Sequence, residues 1–291
     1  MNTNHSKSES RKKISTQALR SKKMNGALIA ILTAYDYPTA LALDRAEIDA
    51  ILVGDSLGMV VLGYKTTLPV TMEDMLHHCR AVSRGAQYAL LIGDMPFMSY
   101  QVSVEDAVRN AGRFLQEAGM DAVKLEGGQE RCDAVRQIVD AGIPVMGHIG
   151  LTPQSVHQLG GFRVQGKTID SAIQIIEDAL RLQEAGCFSL VLESIPDRLA
   201  GLISQKLEIP TIGIGAGSNC DGQVLVTHDV LGMYDRFSPK FSKRYRNFQA
   251  EMEGAFSSFK QEVNEKAFPS ENQIFRMPDD VWDALINNIE S

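Results

Sequence analysis

The segments QEAGMDAVKLEG (116–127), VDAGIPVMGHIG (139–150) and QEAGCFSLVLES (183–194) repeat one pattern along the chain. Each contains the end of a helix-like stretch, a glycine, and a short apolar run with a charged residue or a histidine near its end. Glycine commonly ends a helix because it adopts the left-handed backbone conformation. The pattern therefore predicts a helix that turns into a strand, repeated three times.

Eight short apolar runs extend this rhythm over the rest of the chain, separated by amphipathic stretches such as 104–119 and 168–186. Continuous apolar runs are typical of parallel strands buried on both faces, and eight βα units favour a closed (β/α)8 barrel. An open doubly wound sheet is the alternative, but TAYDYPTA (33–40) lacks the glycine-rich turn expected after its first strand. The runs are 28–36, 50–56, 89–97, 122–127, 144–150, 189–194, 210–217 and 224–232.

The composition is that of a globular protein with a large core. The 291 residues are 44% hydrophobic and 22% charged, with a net charge of −7. A single barrel commonly takes roughly 250 residues, so one domain accounts for most of the chain. The negative charge argues against nucleic acid or an acidic membrane as a partner. Four scattered cysteines without a C-x-x-C pair, and no signal-peptide pattern, predict a cytoplasmic protein.

Three parts are expected along the chain. Residues 1–14 are polar and predicted to be a disordered tail, and residues 15–267 form the (β/α)8 catalytic domain. Residues 268–291 form a C-terminal extension that begins like a linker and ends in a possible short helix. The side chains that this helix would bury are Val281, Trp282, Leu285 and Ile289.

Charged and imidazole side chains interrupt five consecutive apolar runs near their ends. In a barrel, the C-terminal ends of all strands meet at one mouth, where functional residues lie. Several carboxylates there would repel one another unless a cation neutralised them, and oxygen ligands favour Mg²⁺ or a similar hard ion over zinc. The residues are Asp55, Asp94, Lys124, Glu126, His148 and Glu193.

Each of these residues also has a purely structural interpretation. Asp55 could cap the helix that follows it. Lys124 and Glu126 are two residues apart on one strand face, so they could form a structural ion pair. His148 could be a core histidine, and Glu193 a solvated residue at a helix entry. Their occurrence on five consecutive strands favours a shared site over five separate structural roles.

A glycine-rich stretch, GIGAGSNCDGQ (213–223), follows the seventh run. Barrels often bind phosphate at this position, and backbone space for a bulky ligand is the other interpretation.

Seven longer motifs together resemble the ketopantoate hydroxymethyltransferase family over approximately residues 15–265. They are long, specific and in the family's order. The motifs are LTAYDYPTA, VGDSLGMVVLGYKTTLPVTMEDM, GDMPF, AVKLEGG, VMGHIGLTPQSVHQLGGFRVQGK, LVLESIP and IPTIGIGAGSNCDGQVLVTHDVLGM.

The resemblance implies a barrel of the phosphoenolpyruvate/pyruvate type and a reaction. The family transfers a hydroxymethyl group from 5,10-methylenetetrahydrofolate to 3-methyl-2-oxobutanoate, which gives 2-dehydropantoate for pantothenate and coenzyme A synthesis. It implies Mg²⁺ as cofactor, small-molecule substrates, and a homo-oligomer that is typically a decamer in bacterial members. The extension after residue 267 falls outside the resemblance.

The matching motifs also imply roles for individual residues. Asp55, Asp94 and Glu126 would hold Mg²⁺, directly or through water. Ser56 and Lys124 would contact the keto acid together with Asp55 and Asp94.

Glu193, in LVLES, matches the family's proposed general base, whereas His148 lies near the site without a defined role.

Three alternatives stay open. The first is another Mg²⁺-dependent keto-acid lyase or aldolase on the same barrel, although the K-K-C-G-H motif usual in isocitrate lyase-like enzymes is absent. The second is a Schiff-base aldolase that uses Lys124. The third is a binding protein without activity, which would normally have lost these residues.

Overall fold

The predicted apolar runs form eight parallel strands that pair in chain order, and the eighth pairs with the first. The computed structural model describes residues 11–234 and 239–290. Most strand residues are buried on both faces, as the continuous apolar runs predict. The predicted (β/α)8 barrel is confirmed. The strands are β1 (Ile29–Thr33), β2 (Ala50–Val53), β3 (Leu90–Asp94), β4 (Ala122–Glu126), β5 (Val145–Gly150), β6 (Ser189–Glu193), β7 (Thr211–Ile214) and β8 (Gly222–Leu225).

Helices follow seven of the eight strands, all except β7. The stretches 104–119 and 168–186, predicted as helices, are found as α5 and α7. The helices of the described chain are α1 (Thr16–Met24), α2 (Tyr37–Arg45), α3 (Leu57–Val60), α4 (Met72–Gly85), α5 (Val104–Ala118), α6 (Cys132–Asp140), α7 (Ile169–Glu184), α8 (Asp197–Lys206), α9 (Thr227–Leu231), α10 (Phe248–Asn264) and α11 (Asp279–Ile289).

Helix α5 shows how local sequence sets these units. The Ser103 side chain accepts a hydrogen bond from the backbone N–H of Asp106 and so caps the first turn. Gly119 ends the helix at a φ of 69°, a left-handed conformation that glycine adopts without strain. Phe114 packs against β3 at Gly93, where an added Cβ would lie 2.3 Å from the Phe114 ring. The chain thus leaves α5 at Gly119 and enters β4, whose C-terminal end lies at the mouth of the barrel.

Helix α1 covers the end of the barrel opposite the mouth. Leu19 is fully buried there and belongs to the same apolar cluster as Ile31, Ile92 and Ile212 inside the barrel. Lys22 forms an ion pair of 2.5 Å with Asp49, which itself accepts the backbone N–H of Ala30. Lys23 pairs in the same way with Asp221 at 2.8 Å.

Residues 11–14 belong with the barrel and not with the expected disordered tail. Arg11 donates a hydrogen bond to the carbonyl of Asp44, and Lys13 donates to the carbonyl of Ala89 and pairs with Asp121. These residues are ordered against the barrel because Arg11 and Lys13 have carbonyl and carboxylate partners at its base. The rest of the predicted tail, residues 1–10, lies outside the described residues.

The predicted eighth strand is shifted. The run 224–232 continues β8 only to Leu225, and α9 follows from Thr227. The reason is a tertiary contact: the backbone N–H and the hydroxyl of Thr227 both bond to Thr33 at the end of β1, which draws the chain out of the ladder. The β-branched residues of this run favour a strand by composition, but these two bonds decide the outcome.

The C-terminal extension does contain a helix, but the expected burial of its apolar face is wrong for the single chain. Val281, Trp282, Leu285 and Ile289 are between 39% and 70% exposed. Neither α10 nor α11 buries a residue, because neither helix packs on the barrel. Across residues 11–234 and 239–290, no helix has the length and apolarity needed to span a membrane.

We expect Leu19→Ala to lower the free energy of unfolding by about 2–5 kcal/mol, because it removes a fully buried side chain and leaves a cavity. Urea unfolding followed by circular dichroism measures the loss. Leu28→Ala is the matched control, since Leu28 is exposed on the same connection. Equal losses in both variants would show that α1 does not close the barrel.

Candidate active site

Asp55 and Ser56 follow β2 and begin the wall of the mouth. The backbone N–H of Asp55 donates to Oδ2 of Asp94 over 3.1 Å, and Ser56 Oγ lies 2.9 Å from the hydroxyl of Tyr35. Glycine is required at position 54, because a Cβ there would lie 2.8 Å from Ser56 Oγ. Ser56, and not Asp55, precedes α3, and it makes no side-chain cap. The N-cap interpretation of Asp55 is therefore wrong.

Lys124 lies inside the cluster of carboxylates. Its Nζ is 2.7 Å from Asp94 Oδ1 and 3.9 Å from Glu126 Oε1, and all three side chains are almost fully buried. The ion pair between Lys124 and Glu126 exists, but the closer partner is Asp94 on the neighbouring strand. β3 and β4 place these residues directly side by side, since Asp94 and Lys124 are partners in the strand register.

His148 lies between two carboxylates at the end of β5. Its Nδ1 is 3.5 Å from Glu126 Oε1, and its Nε2 is 3.1 Å from Glu193 Oε2. Burial and the charge of Lys124 disfavour protonation of His148, but the contacts with Glu126 and Glu193 outweigh them and raise its pKa to about 9. This pKa favours the imidazolium form at neutral pH, in which the ring lies between the two glutamates. Its Nδ1 is also 3.3 Å from Lys124 Nζ, whose charge opposes protonation.

The buried charges at the mouth do not balance. With Lys124 and His148 both protonated, the four carboxylates of the cluster leave a net charge of −2. Burial first, and then the charges of Asp94 and Glu126, raise the pKa of Asp55 well above its ordinary value. Burial also raises the pKa of Asp94. An excess of negative charge in a buried site matches a divalent cation, which would favour the ionised forms of Asp55 and Asp94.

The donor set suits Mg²⁺ better than it suits a metal ion whose ligands all come from the protein. Among the described residues, no three His, Cys, Asp or Glu side chains are arranged to hold an ion by themselves. Mg²⁺ characteristically uses one or two carboxylates and completes its shell with water and substrate oxygens. The buried oxygens of Asp55 and Asp94 can supply that pair.

All seven predicted site residues line one cavity of about 340 Å³. Its inner part holds the charged cluster. Its outer part is largely apolar, with Phe162 and Phe241 on the wall and the cations Arg163 and Lys240 at the exposed rim.

The glycine-rich stretch 213–223 does not take the expected ligand-binding position. It contributes Ile214 to the cavity, but none of the glycines that follow. Gly215 has a φ of 65°, and a Cβ there would lie 2.6 Å from the Phe241 ring. The glycine therefore makes room for an aromatic side chain of the wall.

Sequence reasoning missed three polar residues that hold the site. Tyr35 contacts Ser56, and Tyr100 and Gln154 form hydrogen bonds next to the carboxylates. Gln154 stands in the motif HIGLTPQ, so the resemblance contained a signal for it. Tyr35 stands in the motif LTAYDYPTA, so the resemblance contained a signal for it as well, whereas Tyr100 lies in a loop outside the matching motifs.

Comparison with known proteins identifies the family. The sequence profile described as ketopantoate hydroxymethyltransferase matches residues 13–271. The chain belongs to the ketopantoate hydroxymethyltransferase family. It is 58% identical over 264 residues to the 3-methyl-2-oxobutanoate hydroxymethyltransferase of Syntrophus aciditrophicus (strain SB), covering 91% of this chain and 97% of that protein. It is 54% identical over 273 residues to the protein of the same name from Clostridium acetobutylicum, covering 94% and 99%.

Solved structures show a wider likeness of fold. Phosphonopyruvate hydrolase superposes with a TM-score of 0.59 at 12% identity, covering 95% of this chain and 96% of that one. The 2,3-dimethylmalate lyase, described as a member of the PEP mutase/isocitrate lyase superfamily, superposes with a TM-score of 0.54 at 15% identity, covering 94% and 95%. This likeness shows that this member of the ketopantoate hydroxymethyltransferase family shares its barrel fold with these enzymes.

We expect the His148 imidazole of EDTA-treated protein to titrate near pH 9, measured by nitrogen-15 NMR. Because its folded pKa lies above the ordinary value of 6.5, its contribution to stability is complete below pH 6.5 and is lost as the pH rises through about 9. Glu193→Gln should lower this pKa by removing a negative neighbour. Glu184→Gln, on the exposed side of α7, should leave it unchanged. Titration at or below pH 6.5 in the unaltered protein would contradict the bridge.

Proposed function

We propose that the protein transfers a hydroxymethyl group from 5,10-methylenetetrahydrofolate to 3-methyl-2-oxobutanoate and so forms 2-dehydropantoate. The observation that carries the proposal is the family match over residues 13–271 together with the convergence of every expected site residue in one cavity. Relatives that are 53–58% identical bear the name 3-methyl-2-oxobutanoate hydroxymethyltransferase.

Mg²⁺ is the proposed cofactor. Asp55 and Asp94 would hold it directly, and Glu126, which is engaged by His148 and Lys124, would act through water. The ion would polarise the keto oxygen of the substrate and stabilise the enolate as a Lewis acid. A phosphonopyruvate hydrolase solved with oxalate and Mg²⁺ has the same fold, with a TM-score of 0.59.

Lys124 and Ser56 would bind the keto acid. Burial favours the neutral amine of Lys124, but Asp94 and Glu126 outweigh it and raise its pKa, so the side chain stays an ammonium. An ammonium can attract the substrate carboxylate or the developing enolate oxygen. It cannot attack a carbonyl, and a Schiff-base aldolase therefore receives no support from this site.

Glu193 is the proposed base that removes the proton from C3 of the substrate. It lies at the edge of the cluster, lines the cavity and is less buried than the metal-side carboxylates. Its partner His148 holds one carboxylate oxygen in place. When the C3–H bond breaks, the proton passes to Glu193 and the electron pair moves to the keto oxygen. Water would break both C–N bonds of the folate methylene bridge, so that its two protons go to the folate nitrogens and its oxygen stays on the one-carbon unit. The enolate carbon would then bond to that carbon, and the proton on Glu193 would pass to the oxygen, which becomes the hydroxyl.

The folate would occupy the outer part of the cavity. Its flat ring system suits the apolar wall formed by Phe162 and Phe241, and its glutamate carboxylates suit Arg163 and Lys240 at the rim. This arrangement leaves the inner part for the keto acid. The one-carbon unit would thus meet the enolate where the two parts join.

We expect wild-type protein in D2O to exchange the C3 proton of 3-methyl-2-oxobutanoate in a Mg²⁺-dependent manner, followed by proton NMR. Glu193→Ala should slow the exchange by ~10²–10⁴-fold, the usual contribution of a general base. Glu184→Ala, an exposed glutamate on α7, is the control and should exchange at the wild-type rate. Undiminished exchange in Glu193→Ala would remove that residue from the role of base.

We expect the double variant Arg163→Ala with Lys240→Ala to raise the KM for 5,10-methylenetetrahydrofolate by roughly 10-fold, because it removes two cations from the rim. Deuterium exchange needs no folate and should stay at the wild-type rate. The control is Arg136→Ala with Lys206→Ala, two cations on outer helices. An unchanged KM would place the folate elsewhere, and slowed exchange would place the two cations in keto-acid binding.

A Mg²⁺-dependent C–C lyase on the same barrel is the second candidate, favoured by the fold likeness to 2,3-dimethylmalate lyase. Such an enzyme needs no folate, so exchange without hydroxymethyl transfer would favour it. The homo-oligomer and the cytoplasmic location stay predictions. The unburied apolar faces of α10 and α11 support an oligomer, because exposed apolar surface of this kind is usually covered by a partner.

A further inference from the structure

Gln154 is a buried residue of the site to which the reaction assigns no role. It lies in the turn Pro153–Ser155 after β5, and only 4% of it is exposed. Its amide Nε2 donates to Asp55 Oδ2 over 3.0 Å and to the Met95 carbonyl over 2.9 Å. Its Oε1 accepts from the hydroxyl of Tyr100 over 2.6 Å. Every part of the amide is thus engaged.

The chemistry of the neighbours fixes which way the amide faces. The Met95 carbonyl can only accept, so the NH2 group must point toward it and toward Asp55. The hydroxyl of Tyr100 accepts the backbone N–H of Glu126 over 3.1 Å, so its own proton is directed to Gln154 Oε1. If the amide were flipped, its oxygen would face the acceptors Asp55 and Met95, and its NH2 group would face the hydroxyl proton of Tyr100.

A second hydrogen bond connects Gln154 to the other carboxylate. Its backbone N–H donates to Glu126 Oε2 over 3.0 Å. Gln154 therefore holds one oxygen of Asp55 and one oxygen of Glu126. Tyr100, which donates to the Gln154 side chain, also accepts the backbone N–H of Glu126. The hydrogen bonds form a closed ring across the metal side of the mouth.

All hydrogen-bond donors in the ring are neutral, so the ring adds no positive charge beside Asp55 and Glu126. A lysine or arginine at position 154 would fix the same oxygens but would cancel charge that a cation needs. An amide orients Asp55 and Glu126 while their full negative charge remains available. Outer groups that orient metal ligands in this way typically contribute 10–100-fold to metal affinity.

We propose that Gln154 is the positioning residue of the metal site: it holds Asp55 and Glu126 in the arrangement that takes up Mg²⁺. This inference rests on the proposed function. Gln154 acts through the two carboxylates and is not itself among the residues that line the cavity.

The test is calorimetric titration of MgCl2 into EDTA-treated protein saturated with 3-methyl-2-oxobutanoate. Gln154→Met keeps the shape but removes both side-chain donors, and Gln154→Glu replaces the donor with an acceptor that faces Asp55. Both should weaken Mg²⁺ binding by roughly 10–100-fold. Tyr100→Phe removes the hydroxyl bonded to Gln154 Oε1 and to the Glu126 N–H, but it leaves both Gln154 donors to the carboxylates in place, so it should weaken binding less. Gln137→Glu makes the same change on the exposed face of α6 and should have no effect.

Two further readouts separate positioning from a structural role. Excess Mg²⁺ should restore the deuterium-exchange rate of Gln154→Met, because the defect lies in metal uptake, whereas a damaged fold would not recover. Tyr100→Phe should lower the melting temperature, because it leaves the buried N–H of Glu126 without its partner, and should still bind Mg²⁺ more tightly than Gln154→Met. Wild-type affinity in Gln154→Met, or a rate that Mg²⁺ does not restore, would overturn the inference. Wild-type protein that binds no Mg²⁺ would overturn the metal proposal as well.

Discussion

The electrostatic cost of gathering carboxylates at one buried mouth governs the rest of the site. Closure of the barrel brings the ends of β2, β3, β4 and β6 together, and each end carries an acid. Lys124 and His148 offset part of the repulsion, and they leave a charge that suits a divalent ion. A fold that must bury such a cluster needs its stability from elsewhere in the molecule.

That stability lies at the opposite end of the barrel. Three aspartates stand directly before a strand there, and each accepts a backbone N–H from the preceding strand of the barrel. They are Asp49 before β2, Asp121 before β4 and Asp221 before β8. Each also pairs with a lysine of the N-terminal segment. The apolar cluster that includes Leu19 fills the space between these pairs. Acids at the base therefore stabilise the frame because each has a cation and a donor, whereas acids at the mouth remain available for chemistry.

The sequence predicts strand ends well because strand position and chemistry are both local. Asp55, Asp94 and Lys124 could be assigned to one mouth from apolar runs alone, since a barrel fixes where strand ends meet. The end of β8 could not, because two hydrogen bonds from Thr227 to a residue 194 positions away decide it. The hydrogen bonds of Gln154 were equally hidden, because its partners come from three other segments, and only its place in HIGLTPQ marked the residue. Contacts of this kind have no periodicity from which to predict them.

His148 explains how neighbouring carboxylates can do different work. A metal ligand must stay ionised throughout the reaction, whereas a base must gain and lose a proton. Two adjacent carboxylates would share a proton and confuse these roles, as paired acids do. His148 lies between Glu126, proposed for the metal side, and Glu193, the proposed base, and its ring contacts both. Removal of the imidazole would therefore impair both functions at once, through the loss of the group that keeps them apart.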